Sequence, residues 1–198
     1  MNKKSLLSAL LAAILIGLFS ASFRCFSIVK AATEVSDIIS SDTIWTRANS
    51  PYNVTGKVLI DTAVTVTFEA DAVVNLNGHD IRVNGTLIIQ PGATLNMGVT
   101  GTSVGSIRVN GALSARGTST SPIHFNGAAY HWSSLFVPPT LSSVTFAGSS
   151  MAWTEQTGSG CILENAVMDK TGVVISNSIK CSNNQFSDAG ISVAGGHL

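Results

Sequence analysis

Charge is scarce in this chain. Only 11% of its 198 residues are Asp, Glu, Lys or Arg, against about 25% in an average soluble domain. The few basic residues are spread out, and four of the eleven (Lys3, Lys4, Arg24, Lys30) precede residue 31. All the acids follow residue 33, so the part beyond the N-terminus carries seven basic and eleven acidic residues, a net charge of −4. Nucleic-acid binding needs clustered cations to neutralise phosphates, and that part has no Lys/Arg cluster. Long runs of Glu, Lys, Gln and Arg are also missing, and no segment after residue 40 has a 3.6-residue apolar period, which argues against a helical domain. Aromatic residues make up 7%. The length suits one domain with a sizeable core. What remains is rich in Ser, Thr, Asn, Val and Gly, a mixture suited to short strands and tight turns.

The N-terminus differs from the rest. Lys3 and Lys4 precede an apolar run, Leu6 to Phe19, broken only by Ser8, and the small residues Ser20, Ala21 and Ser22 follow. This order of charge, apolar stretch and small residues is that of a secretory signal. A second cleavage candidate is Val29-Lys30-Ala31-Ala32. The other reading is an uncleaved membrane anchor, for which the run is short of the roughly 20 apolar residues of a span. Arg24, just before Cys25, argues against a lipoprotein signal. Either way the chain from residue 33 on is expected outside the cytoplasm, secreted or on the cell surface. The expected organisation is a signal over 1–32, a lead-in or cap over 33–51 and a repeat domain over 52–198.

An internal repeat sets the expected fold. Ile81-Arg82-Val83-Asn84-Gly85 recurs as Ile107-Arg108-Val109-Asn110-Gly111, an offset of 26, and each copy is followed by a small residue and Leu. Around the copies lie period-2 runs such as Val64 to Phe68, bounded by Asn77-Gly78, Pro91-Gly92 and Asn126-Gly127. Short strands on a repeat of this length fit one coil of a parallel β-solenoid, six or seven coils from about residue 52. Stacking places Ile81, Val83 and Leu87 inside, beneath Ile107, Val109 and Leu113. It forms an amide ladder from Asn84 to Asn110, and gives Gly85 and Gly111 a backbone conformation that the corner requires.

The segments Ser50-Pro51-Tyr52-Asn53-Val54-Thr55-Gly56 and Val64 to Glu69, then Gly85-Thr86-Leu87, Gly117-Thr118, Pro122-Ile123-His124-Phe125 and Trp132-Ser133-Ser134-Leu135, resemble secreted right-handed parallel β-helix repeat proteins of archaea and bacteria, in the pectate-lyase-like solenoid superfamily. The resemblance covers about residues 42–193. It implies the all-β, right-handed parallel β-helix fold, but no single activity, since the family includes surface proteins, adhesins and polysaccharide-active enzymes. Gly195-Gly196-His197-Leu198 falls mid-coil with no recognisable cap. A C-terminally incomplete helix is therefore expected, or an end covered by another copy of the chain.

Candidate sites are sparse. Glu69 and Asp71 share a spacing that puts both on one strand face, with Asp80 expected one coil on. The paired-Asp and Gly-His-Gly phrases of polygalacturonases are missing, and an Arg base with a calcium-binding Asp set cannot be assembled. Turn-forming and solvated acids are the expectation. His79, His124, His131 and His197 show no metal-ligand spacing, and His124 should face outward between Ile123 and Phe125. No catalytic set, metal site or cofactor is expected. Arg82 and Arg108 should stack as an exposed like-charge pair able to hold a sugar acid. Tyr130, Trp132 and Trp153, with Phe136, form either a sugar-stacking surface or a buried plug. Cys161 and Cys181, 20 apart, would lie within disulfide range on stacked coils, either bonded or as a free buried pair. Asn53-Val54-Thr55 and Asn84-Gly85-Thr86 fit the glycosylation acceptor pattern.

The function this predicts is a non-catalytic exported or cell-surface β-helix, structural or carbohydrate-contacting, with a polysaccharide or cell-envelope component as partner. It would touch membrane only through an uncleaved N-terminus. The alternatives are a polysaccharide lyase or glycoside hydrolase, and a solenoid that self-associates through its last coil.

Overall fold

Apolar and polar residues alternate in runs mostly two to five residues long, with Thr33–Ile39, Tyr52–Ile60 and Thr140–Phe146 longer, and turn residues interrupt them before a helix can form. Each run therefore becomes a strand with one buried face. The computed structural model describes residues 31–130 and 140–194. Residues 1–30 of the expected signal, Cys25 among them, with Trp132, Phe136 and the last four residues, lie outside the described residues.

The strands stack in parallel into a three-faced solenoid. The first face holds the start of Thr33–Ile39 and of Tyr52–Ile60, then Val73–Asn75, Thr94–Asn96, Ile123–Asn126, Ala166–Asp169 and Gln185–Ser187. The second holds the ends of the same two opening strands, then Asp80–Val83, Ser106–Val109, Thr140–Phe146, Thr171–Ile175 and Ile191–Val193. The third holds Thr43–Trp45, Thr65–Phe68, Thr86–Ile89, Ala112–Arg116, Ile162–Glu164 and Lys180–Ser182. Because the two opening strands run through both of the first two faces, those faces form one curled sheet. Residues 33–51, expected as a lead-in, supply the first coil.

Inward side chains stack in columns. Trp45, Phe68, Ile89, Ala115, Leu163 and Cys181 lie in successive register on the third face. Tyr52, Val74, Leu95, Phe125, Met168 and Phe186 do so on the first. Ile81, Val83 and Leu87 and their counterparts Ile107, Val109 and Leu113 are all fully buried. At the first coil the Trp45 ring stacks on both Tyr52 and Phe68, with centroids 5.0 Å and 4.6 Å apart. The Tyr52 hydroxyl accepts the Thr46 backbone N–H.

The repeat offset is not constant. Ile81 sits on Ile107, Ile107 on Val144, Val144 on Val173 and Val173 on Ile191. Among the described residues, extra length is taken up by a small hairpin of Val99–Thr100 and Ser103–Val104 and by the loop from 148 to 160. The 26-residue repeat is itself a coil lengthened by that hairpin.

Asn110 Nδ2 donates to Asn84 Oδ1 at 2.9 Å. A longer ladder runs along the first face: Asn126 donates to Asn96, Asn96 to Asn75, Asn75 to Asn53, and Asn53 to Glu34 Oε1. All its amides point toward the first coil, so the carboxylate of Glu34 meets a donor. Gly85 and Gly111 are glycines for a reason other than the expected one. Neither has a positive φ. A Cβ at Gly111 would overlap the carbonyls of Gly85 and Asn84, and one at Gly85 those of Val64 and Asp61. The constraint is close approach of the previous coil's backbone.

Candidate functional site

On the second face, odd and even positions of each strand point opposite ways, so Arg82 and Arg108, between buried neighbours, both face solvent. The register sets Arg82 directly on Arg108, with Leu59 before them and Thr145 after. Lys57 lies next to Val58, whose register partner is Ile81, and therefore stands beside Asp80 on the preceding coil. Lys57, Leu59, Asp80, Arg82, Ser106 and Arg108 line an open groove of about 270 Å³. Inside it Ser106 Oγ donates to Asp80 Oδ1 at 2.8 Å, which turns that carboxylate toward the hydroxyl. None of the three cations forms an ion pair among the described residues, where the pairs are Arg47–Asp71 and Lys170–Asp169.

This groove brings together two cations singled out from sequence, Arg82 and Arg108, and one that was not, Lys57. Lys57 sits on a coil whose Val58-Leu59-Ile60 shares no identity with Ile81-Arg82-Val83, so the repeat did not align it. Its only signal was a charged residue two positions from Leu59 in an alternating strand.

The other candidates are scattered. Trp153 rides on the 148–160 loop, half-buried. Its indole N–H donates to Glu155 Oε1, and the Lys180 ammonium and the Arg116 guanidinium lie 5.1 Å and 5.7 Å from its ring centre. These contacts pin the loop to the third face and engage the ring within the protein. Tyr130 is partly buried on the short Ala129–Tyr130 strand, antiparallel to Thr140–Phe146. Glu69 and Asp71 do not meet Asp80. Glu69 accepts the Arg47 backbone N–H and Asp71 pairs with the Arg47 guanidinium, both at the corner after the third face, while Asp80 lies in the groove. His124 faces outward in register with Thr94 and Val167. Among the described residues, no three His, Cys, Asp or Glu side chains are placed to hold a metal ion. Both glycosylation acceptors, Asn53 and Asn84, are built into amide ladders through their side chains.

Cys161 and Cys181 do not stack. Cys181 pairs in register with Leu163, so this coil step is 18 residues rather than 20, and both thiols are free. Burial raises both thiol pKa values, that of Cys181 to about 11. The unfolded thiol ionises first as pH rises past about 8.5. Folding is therefore unaffected below that pH and loses stability as pH climbs toward 11. In a Cys25→Ser background, native protein should react with iodoacetamide at Cys181 about tenfold faster per pH unit between pH 8 and 10. A rate already level at pH 9 would contradict the buried placement.

No family model, curated protein or solved structure matches the chain.

Proposed function

We propose that this is an exported right-handed parallel β-helix that contacts acidic carbohydrate without cleaving it. The observation that carries the reading is the groove of Lys57, Arg82 and Arg108, three cations on neighbouring coils with no ion-pair partners among the described residues, in a chain otherwise poor in charge. Guanidinium groups recognise carboxylates through paired N–H donors. Like charges directly opposite on neighbouring strands repel, so an acidic ligand relieves a strain the free protein carries. Export rests on the order of Lys3, Lys4, the apolar run and the small residues after it. Right-handedness rests on the resemblance to secreted β-helix proteins and on the general hand of parallel crossovers.

Titration at low salt with polygalacturonate, alginate and neutral dextran tests this. Saturable binding to the acidic polymers and none to dextran is expected, weakening as salt is raised. Arg82→Ala and Arg108→Ala should each weaken binding by about fivefold, the effect of about 1 kcal/mol per screened charge pair. Equal binding of dextran would overturn the reading. Release of unsaturated or reducing ends during the titration would replace it with the lyase or hydrolase reading.

A further inference from the structure

We propose that Asp37 is a charged stop that keeps the first coil of one copy from pairing with the last coil of another, so that the solenoid does not grow end to end. The strand edges at both ends invite such growth. The outer edges of Thr33–Ile39 and Thr43–Trp45 have no strand partner among the described residues, and neither do those of Lys180–Ser182, Gln185–Ser187 and Ile191–Val193. The stacked strands of all three faces run in parallel. The last edge of one copy and the first edge of the next therefore share one polarity. Unpaired edges are templates for added strands, and a head-to-tail contact between them would repeat without closing. The last coil is ready for a neighbour. Ile191 and Val193 are 39% and 44% exposed, whereas their partners one coil back, Val173 and Ile175, are fully buried.

The columns decide what those two residues would meet. Val193 ends the column that Ile39 opens, which is an apolar match. Ile191 ends the column of Val58, Ile81, Ile107, Val144 and Val173, and the residue that opens that column is Asp37. Asp37 is exposed, and it is the one charged residue at an inward register position in that column. Head-to-tail stacking would set its carboxylate on Ile191 and take it out of water. Lys57 adjoins its register partner Val58, yet neither Lys57 nor any other described cation forms an ion pair with Asp37. Its hydrogen-bond partner is the Ser36 hydroxyl, which donates at 2.9 Å. Burying an unpaired carboxylate is costly. The backbone adds a second obstacle. Asp37 has φ 71°, and the register of its strand slips between Val35 and Asp37. Such a bulge bends an edge strand out of line for a new partner.

The test is end-to-end cross-linking of the full chain. The native cysteines are replaced by Ser, and Ile38→Cys and Ser192→Cys put thiols at the two ends of one outward column. Head-to-tail stacking would bring the two backbones within about 5 Å, inside disulfide reach. Under mild oxidation, protein that retains Asp37 should stay monomeric on a non-reducing gel. Asp37→Gly should give a ladder of multimers whose share rises severalfold with protein concentration. Glycine accepts the positive φ, so this variant keeps the fold and loses the charge. Adding Ile191→Lys should abolish the ladder, because it returns a charge to the contact from the other side. Three results would each overturn the proposal: no ladder from Asp37→Gly, an equal ladder with Asp37 in place, or a ladder that survives Ile191→Lys.

Discussion

Trp45→Ala is expected to cost about 3–5 kcal/mol, the largest effect of any single substitution discussed. Trp45 is 3% exposed and is the middle ring of a three-ring stack with Tyr52 and Phe68. Truncation leaves a ring-sized cavity where the first coil meets the second, and removes two aromatic contacts worth about 0.5–1.5 kcal/mol each beyond burial. A solenoid coil touches only its neighbours, so the loss is concentrated at that end. Hydrogen exchange should show Val54 and Ile60 losing protection well before Val144 and Phe146, and urea unfolding should begin with a new early phase. A shift below about 1 kcal/mol would mean that the stack does not hold the first coil.

Gly111→Ala is expected to rank next, at about 1–3 kcal/mol or more. The added methyl would overlap the carbonyls of Gly85 and Asn84 on the coil below, and both belong to rigid backbone that no rotamer change can move. It would also push Asn110 out of line with Asn84, breaking a 2.9 Å amide bond in the shorter ladder. Gly56→Ala is the control. Its methyl would rest 3.5 Å from the Ser36 Cβ, an ordinary contact, with no positive φ to strain. That change should leave thermal stability unchanged or raise it by up to about 1 kcal/mol, through the unfolded chain. Similar losses from both substitutions would show that glycine is needed for conformation rather than for coil spacing.

Much of the fold was legible because period-2 alternation and a single repeated pentapeptide both report stacking. Ile81 on Ile107 and Asn84 on Asn110 follow directly from the repeat, and both are present. The longer Asn ladder was also written in the chain, as an apolar residue followed by Asn at 74–75, 95–96 and 125–126. Its uneven spacing hid it. Uneven spacing is also why the 20-residue separation of Cys161 and Cys181 does not stack them: the stacking distance in sequence depends on how much chain each corner throws out, which local pattern does not encode. The contacts of Trp153 were illegible for the same reason. Arg116 and Lys180 reach one ring only because their coils flank the one that carries the loop. In the groove, Arg82 and Arg108 could be read from identity, whereas Lys57 needed the register of a coil that shares no residue with the next.

All that is said of the groove depends on Arg82 standing directly on Arg108. Nitroxide labels at these two positions, in an Arg82→Cys/Arg108→Cys protein whose native cysteines are replaced by Ser, test that stacking by continuous-wave spin resonance in frozen solution. Register pairing puts the two backbones about 5 Å apart, so the doubly labelled protein should show strong dipolar broadening that neither single label shows and that denaturant abolishes. A double-label spectrum equal to the sum of the two singles would contradict the stacked-coil structure and remove the groove with it.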